Sequence, residues 1–357
     1  MSDRLTELRK IIKGKNLDGI ILTGRPNTFY LSGFSGSTSY LLVGMQQAWL
    51  IVDFRYTIQA KLQACKGVEV IEQTDSFMLT LNQLLSDYKI QKVGFEGNNL
   101  NYSEFESFKN KLTQANLFVN VGSEIDLLRI KKDENEIEII AQAVLMGDRV
   151  FDHILKIVKP GMREDDLATE IDYQMKKLGA KGPSFDTIVA SGERSAMCHA
   201  TPSENILKKG DSLVLDFGLN YHHYCSDMTR TIFIGDPGDE MKRIYNIVKD
   251  AQQAALDCII SGMPARDADK IARTIITHAG YGSCFGHSLG HGVGIEIHED
   301  PRLAEKSEAI LSDGMVFTIE PGIYVEGLGG VRIEDMVVLV NGKPRNLTTS
   351  TKSMIVI

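Results

Sequence analysis

The sequence predicts an α+β protein in two parts: an N-terminal α/β module over residues 1–125 and a larger domain over residues 126–357 made of two similar halves. Three observations predict it. Helical and strand-like hydrophobic spacings alternate through the first part. The second part carries a faint internal repeat. Within that repeat, five acidic or imidazole side chains each stand inside an ordered-looking segment.

In the first part, Leu5, Leu8, Ile11 and Ile12 fall at helical spacing, and Gly19-Ile20-Ile21-Leu22 reads as a strand. Tyr40-Leu41-Leu42-Val43 and Ala48-Trp49-Leu50-Ile51-Val52 flank a turn at Gly44, the pattern of a hairpin. Strand-like Val68-Glu69-Val70-Ile71 and Lys92-Val93-Gly94-Phe95 follow, with helical stretches between them. The module holds no phosphate loop and no dinucleotide fingerprint. A charged segment, Arg129-Ile130-Lys131-Lys132-Asp133-Glu134, lies near the boundary. Asp133 with Glu136 three residues on is a capping-box pattern that starts a long helix towards Val158.

The repeat rests on Gly161-Met162 and Gly262-Met263, which lie 101 positions apart, as do Asp166 and Asp267, and Gly179 and Gly280. In each copy a long helix ends at a Gly-Met turn, a second helix follows, and strands come after. Two such halves facing each other would share one central sheet. The first would supply Asp216 and Asp227, the second His291, Glu320 and Glu334.

Composition excludes little but narrows the partners. Hydrophobic content of 43% and charged content of 24% suit a chain with a full core. A net charge of −8 with no local Lys/Arg cluster weighs against nucleic acid and anionic membranes. No apolar run approaches the ~20 residues of a membrane span. The N-terminus leads into a charged amphipathic helix rather than a signal sequence. Cys65, Cys198, Cys225, Cys258 and Cys284 are odd in number and contain no C-x-x-C pair, so a reducing, cytoplasmic setting is expected.

Asp216 follows Leu213-Val214-Leu215, Glu320 closes Met315-Val316-Phe317-Thr318-Ile319, and Glu334 sits between Ile333 and Asp335 in a run continuing to Val340. On strands buried on at least one face, unpaired carboxylates are costly and call for a cation. Four carboxylates with one imidazole form too hard a set for structural zinc and suit two oxygen-loving divalent ions. That is the chemistry of a dinuclear metallohydrolase. Singly, each residue has a plainer reading: a lone buried Asp is usually a cap, and an Arg–Glu pair usually a surface ion pair.

A turn expected at Gly218-Leu219-Asn220 would set Asp216 and Asp227 on neighbouring antiparallel strands, with His222 and His223 at the surface nearby. Phe285-Gly286-His287-Ser288-Leu289-Gly290-His291-Gly292-Val293-Gly294 is too glycine-rich for a helix interior. Its glycines instead allow close backbone approach and room for imidazoles to converge. His287, His291 and His298 place three of the eight histidines in one short stretch. Arg332 and Glu334 share a strand face by the two-residue period, so Arg332 can orient a ligating carboxylate. His199, after the strand-like Asp186–Ser191 run and Gly192, is weak evidence alone.

At these residues the chain closely resembles the pita-bread metallopeptidases, specifically the Xaa-Pro peptidases, aminopeptidase P and prolidase. The matching motifs are Leu215-Asp216-Phe217-Gly218, Ser226-Asp227-Met228-Thr229-Arg230, Gly286-His287-Ser288-Leu289-Gly290-His291-Gly292, Glu320-Pro321-Gly322 and Arg332-Ile333-Glu334-Asp335. Asn27-Thr28-Phe29-Tyr30-Leu31-Ser32-Gly33-Phe34 and Asp53-Phe54-Arg55-Tyr56 look like the family's accessory domain, creatinase-like in type.

The resemblance implies two divalent ions, manganese first, with cobalt or zinc as alternatives. Asp227 and Glu334 would bridge them, Asp216 completing one shell and His291 and Glu320 the other. Glu320 would also accept a proton from the attacking water. His199, His287 and His298 would orient substrate and stabilise the tetrahedral intermediate, with Tyr324 and Arg332 behind them. The implied substrates are proline-containing peptides, cleaved between the N-terminal residue and proline. Aminopeptidase P is the first reading and prolidase the alternative; methionine aminopeptidase or a non-catalytic peptide-binding relative fit less well. A homodimer is implied, across which Arg55 could capture the free carboxylate of a dipeptide.

Overall fold

The computed structural model describes residues 2–357; Met1, the first residue of the expected N-terminal module, lies outside them. The chain divides into two compact units, Met1–Arg129 and Ile130–Ile357. The break falls a little beyond residue 125 because the next segment stays tied to the first unit. Tyr30 Oη donates to Leu128 O at 2.7 Å, and Arg129 pairs with Asp126 at 3.6 Å. Among the described residues no helix is long and apolar enough to cross a membrane.

The first unit is a six-stranded mixed sheet with helices. Gly19–Leu22 lies in its middle, antiparallel to Tyr40–Gly44 and parallel to Lys92–Phe95. Ile21, Leu42, Trp49, Val93 and Phe108 form an apolar core there. The Asn27–Gly33 motif is the helix Arg25–Ser32, opened by Pro26 and closed by Gly33 at φ 80°. Just ahead of it, buried Glu96 accepts from Thr23 N at 2.6 Å and Gly24 N at 2.8 Å.

The second unit opens with the helix Glu134–Ile157. Asp133 and Glu136 form the reciprocal capping box, each bond 2.9 Å. The internal repeat is written in backbone hydrogen bonds. Helices Glu134–Ile157 and Glu164–Lys177 form one pair, Gly238–Cys258 and Ala265–His278 the other. Gly161 (φ 91°) donates to Leu207 O at 2.9 Å, and Gly262 (φ 92°) to Leu311 O at 2.7 Å. Leu207 and Leu311 donate back to Met162 and Met263, both at 2.9 Å. Each half packs its helices on its own strands: Phe151, Ile171, Leu213 and Leu215 in one core, Ile244, Ile276, Phe317 and Val337 in the other.

The halves do not share one continuous sheet, as the repeat predicted. A three-stranded sheet (Ile188–Ser191, Ser212–Phe217, Met228–Phe233) abuts a five-stranded one containing Gly290–Gly292, Val316–Ile319 and Asp335–Val340. Arg332 ends one strand and Asp335 begins another, so the residues between them cross beside Met228–Phe233 without forming a ladder. Glu334 N donates to Thr229 O at 3.1 Å. Thr231 Oγ1 donates to Arg332 O at 2.9 Å and accepts from Arg332 N at 3.0 Å.

The turn between the two aspartates also moves. Leu219–Tyr221 is strand, paired with Tyr224–Cys225, and the turn is His222-His223 with φ 47° and 72°. Two residues at positive φ match the twist of a two-residue hairpin. Gly218 serves a different need: a Cβ there would stand 1.8 Å from Ser226 O.

Candidate active site

One antiparallel register sets the first pair of acids. Asp216 lies opposite Thr229 and Phe217 opposite Met228, so Asp227 is the diagonal neighbour of Asp216 on the same sheet face. The second half brings His291 on Gly290–Gly292, Glu320 just after Val316–Ile319, and Glu334 just before Asp335–Val340. His291 Nε2 stands 3.3 Å from Glu320 Oε1 and 3.5 Å from Asp227 Oδ2. Ligand atoms of Asp227, His291 and Glu334 all lie within 4.8 Å of one another. Arg332 Nη2 donates to Asp216 Oδ2, which ties the remaining acid to this group.

The cluster holds more negative charge than its own donors satisfy. Asp227 and Glu334 are 5% and 1% exposed. Asp216 Oδ1, Asp227 Oδ1 and Glu334 Oε1 are buried without a hydrogen-bond partner. Burial, then repulsion from neighbouring carboxylates, holds Asp227 and Glu334 well above the usual carboxylate range. Burial also pushes Glu320 up to about 7. His291 Nδ1 faces Gly292 O at 3.1 Å and must carry its proton there, leaving the Nε2 lone pair aimed at the acids. Orphaned carboxylate oxygens around an unprotonated imidazole nitrogen fit divalent metal ions.

A cavity of about 720 Å³ opens over the cluster, lined by all five of these residues and by His199, His287, His298 and Arg332. His199 and His298 reach it from separate loops, and the His298 ring meets that of His291 edge-on at 4.4 Å. His287 lines the cavity with both ring nitrogens engaged. Nδ1 faces Ser288 O at 2.8 Å and Nε2 faces Tyr324 Oη at 3.0 Å, while burial lowers the imidazole to about 4. Arg332 Nη1 donates to Tyr324 Oη at 2.6 Å, so Tyr324 donates onward to His287. Tyr324 therefore touches the site through Arg332 and His287. Arg55 belongs to the first unit, where it makes a two-pronged pair with Asp53 at 3.0 and 2.7 Å.

Several supporting residues escaped the sequence reading. Thr229 Oγ1 donates to Glu334 Oε2, and Thr318 Oγ1 accepts from His291 N at 3.1 Å and donates to Glu320 Oε1 at 3.0 Å. Each threonine sits two residues from a predicted ligand, so strand alternation was the available signal. Phe185, Ile188, Ile297 and Arg302, which also line the cavity, carry no such signal.

Residues 138–341 match the model of Metallopeptidase family M24, and residues 4–131 that of the Creatinase/Prolidase N-terminal domain. The sequence is 39% identical over 356 residues to the Xaa-Pro dipeptidase of Pyrococcus furiosus, covering 99% of this chain and 100% of that one. A solved Xaa-Pro dipeptidase from Bacillus anthracis superposes with a TM-score of 0.97 at 40% identity, covering 100% of this chain and 99% of that one. The crystal structure of an X-Pro aminopeptidase from Thermotoga maritima gives a TM-score of 0.90 at 39% identity, covering 96% and 98%.

Proposed function

The chain belongs to metallopeptidase family M24, with a creatinase/prolidase N-terminal domain before a pita-bread catalytic domain, and we propose that it is an Xaa-Pro dipeptidase. The dipeptidase was the alternative from sequence. Full-length relatives that carry that name move it ahead of aminopeptidase P. One observation carries the chemistry: buried, unpartnered oxygens of Asp216, Asp227 and Glu334 converge beside His291 and Glu320.

Those five residues, Asp216, Asp227, His291, Glu320 and Glu334, would hold two divalent ions, manganese first. When bound, the ions supply Lewis-acid charge and make water acidic enough to give a nucleophile near neutral pH. Glu320, braced by Thr318, takes the proton of the attacking water and returns it to the leaving nitrogen. His199 and His298 face the same cavity: His199 orients the bound substrate, and His298 donates to the carbonyl oxygen as it gains charge. Arg332 holds Asp216 and Tyr324 in place. The prolyl nitrogen has no N–H, and a site that attacks the carbonyl directly makes no demand on one. Phe185, Ile188 and Ile297 offer it an apolar wall.

A homodimer is part of this reading. Phe54, Ile58 and Leu62 are 77%, 78% and 82% exposed and recur every four residues along the helix Thr57–Gln63 and the turn before it. Such a stripe suits a second copy of the chain. Beside it, Arg55 would serve the carboxylate of a dipeptide bound by the partner. The five free cysteines fit a reducing, cytoplasmic setting.

The test is a comparison of Xaa-Pro with Xaa-Pro-Xaa peptides on the manganese-loaded enzyme. Turnover of the dipeptide alone is expected. Equal turnover of the longer peptide would return the choice to aminopeptidase P, and a purified chain that takes up no metal would overturn the enzyme.

A further inference from the structure

We propose that Glu164 is a positioning residue for the substrate side of the site, a clamp that sets the loop carrying His199. This rests on the reading of His199 as a substrate contact. Glu164 opens the helix Glu164–Lys177 and is completely buried, a position in which a carboxylate persists only when well paired. Its partners all come from the segment 191–205. Oε1 accepts from Ser191 N and Ser191 Oγ, both at 2.8 Å, and from Asn205 Nδ2 at 3.4 Å. Oε2 accepts from Ser203 N at 3.2 Å, Ser203 Oγ at 2.8 Å and Arg194 Nε at 3.0 Å.

These donors stand at both ends of one loop, and the cavity-lining residues Cys198 to Pro202 lie between them. Beyond the short turn Gly192–Ala196 the loop has no regular structure, so its path is fixed by where its ends are held and by one inner tie, Arg332 Nη1 donating to Cys198 O at 3.1 Å. Arg194 extends the clamp inward: the guanidinium that meets Glu164 also donates through Nη2 to Thr201 O at 2.7 Å, two residues from His199. The five candidate metal ligands sit on other segments and do not touch Glu164. Loosening the clamp should therefore displace a substrate contact while the metal ligands, held by their own strands and by Arg332 on Asp216, keep their places.

The chemistry requires a carboxylate. Glutamine at this position would present an NH₂ group to the amide and hydroxyl donors of one serine or the other, and would remove the countercharge of Arg194. Glu164→Gln in the manganese-loaded enzyme is expected to raise KM for an Xaa-Pro dipeptide about tenfold while kcat stays within about threefold. Metal content should be unchanged, and amides of 192–205 should exchange faster by hydrogen–deuterium mass spectrometry.

Asp148→Asn is the control. Asp148 is a buried carboxylate that accepts four hydrogen bonds from Thr349 and Ser350, far along the chain from the loop. Its loss should lower Tm without moving KM or the exchange of 192–205. If Glu164→Gln matches Asp148→Asn in KM and loop exchange, the clamp is refuted. Should Glu164→Gln not fold, Arg194→Met is judged by the same two readouts. A wild-type enzyme inactive on Xaa-Pro peptides would sink the substrate assignment, and loop exchange would still decide the clamp.

Discussion

Thr229 Oγ1 donates to Glu334 Oε2 across 2.7 Å and accepts from Arg332 Nε at 3.0 Å, so one hydroxyl fixes both an acid and the cation beside it. It leaves Glu334 Oε1 as the oxygen without a partner. Thr229→Val keeps the shape and removes both bonds. Because groups that orient ligands are typically worth 10–100-fold in affinity, the variant should need about that much more manganese for half-maximal activity. Calorimetric titration checks this directly. Wild-type affinity in the variant would mean that Glu334 is oriented by something else.

Removing the metal should make stability depend on pH in a defined direction. Without it, burial and mutual repulsion raise Asp227 and Glu334 well above the carboxylate range, and burial raises Glu320 to about 7. In the unfolded chain these groups titrate near ~4. Between those limits the folded metal-free chain binds more protons than the unfolded one, so its stability falls as pH rises through the folded values. Chelator-treated protein should melt lower at about pH 8 than at about pH 5, and metal uptake near neutrality should release protons. Melting of the stripped protein that rises over this range would contradict the cluster's electrostatics.

Tyr324→Phe isolates the chain from Arg332 to His287. The phenol accepts a hydrogen bond from Arg332 Nη1 at 2.6 Å and donates one to His287 Nε2 at 3.0 Å. Its loss strands a buried donor and a buried acceptor and frees Arg332 to shift on Asp216. We expect kcat to fall about 10–100-fold, the range for groups that orient a ligand from behind it, with KM nearly unchanged. Steady-state kinetics at saturating manganese decide it; an unaltered kcat would reduce Tyr324 to packing.

What the sequence showed followed the range of each interaction. Asp133 and Glu136 satisfy each other three residues apart, so their cap was readable without the fold. Asp216 and Glu320 were conspicuous because a charge breaks an apolar strand. The hairpin turn was misplaced because Gly218 looked like a turn residue, while the residues that adopt positive φ are His222 and His223. Glycine at 218 answers a crowding constraint from Ser226, invisible before the strands pair. The partners of Thr229 and Thr231 were illegible for the same reason, since Glu334 and Arg332 lie about a hundred residues away along the chain. Two matching halves did not become one sheet because Arg332-Ile333-Glu334 spends its backbone on changing strands.

The glycines around His291 make a last prediction, because they are not interchangeable. A Cβ on Gly290 would stand 2.0 Å from Thr318 O, and one on Gly292 would stand 2.2 Å from Asp300 O. Both obstacles are backbone, so the strands themselves would have to part. Thr318 is also the residue that accepts from His291 N and donates to Glu320. Pushing it away would open the 3.3 Å approach of His291 to Glu320 as well as cost roughly 1–3 kcal/mol or more in overpacking. Gly286, in the same glycine-rich stretch, has nothing within 4 Å of an added Cβ. Gly290→Ala should therefore lose manganese affinity, activity and several degrees of Tm, while Gly286→Ala should keep all three. Manganese titration and thermal melts of the two variants side by side provide the check. If Gly290→Ala bound metal like the wild type, close strand approach could not be what sets His291.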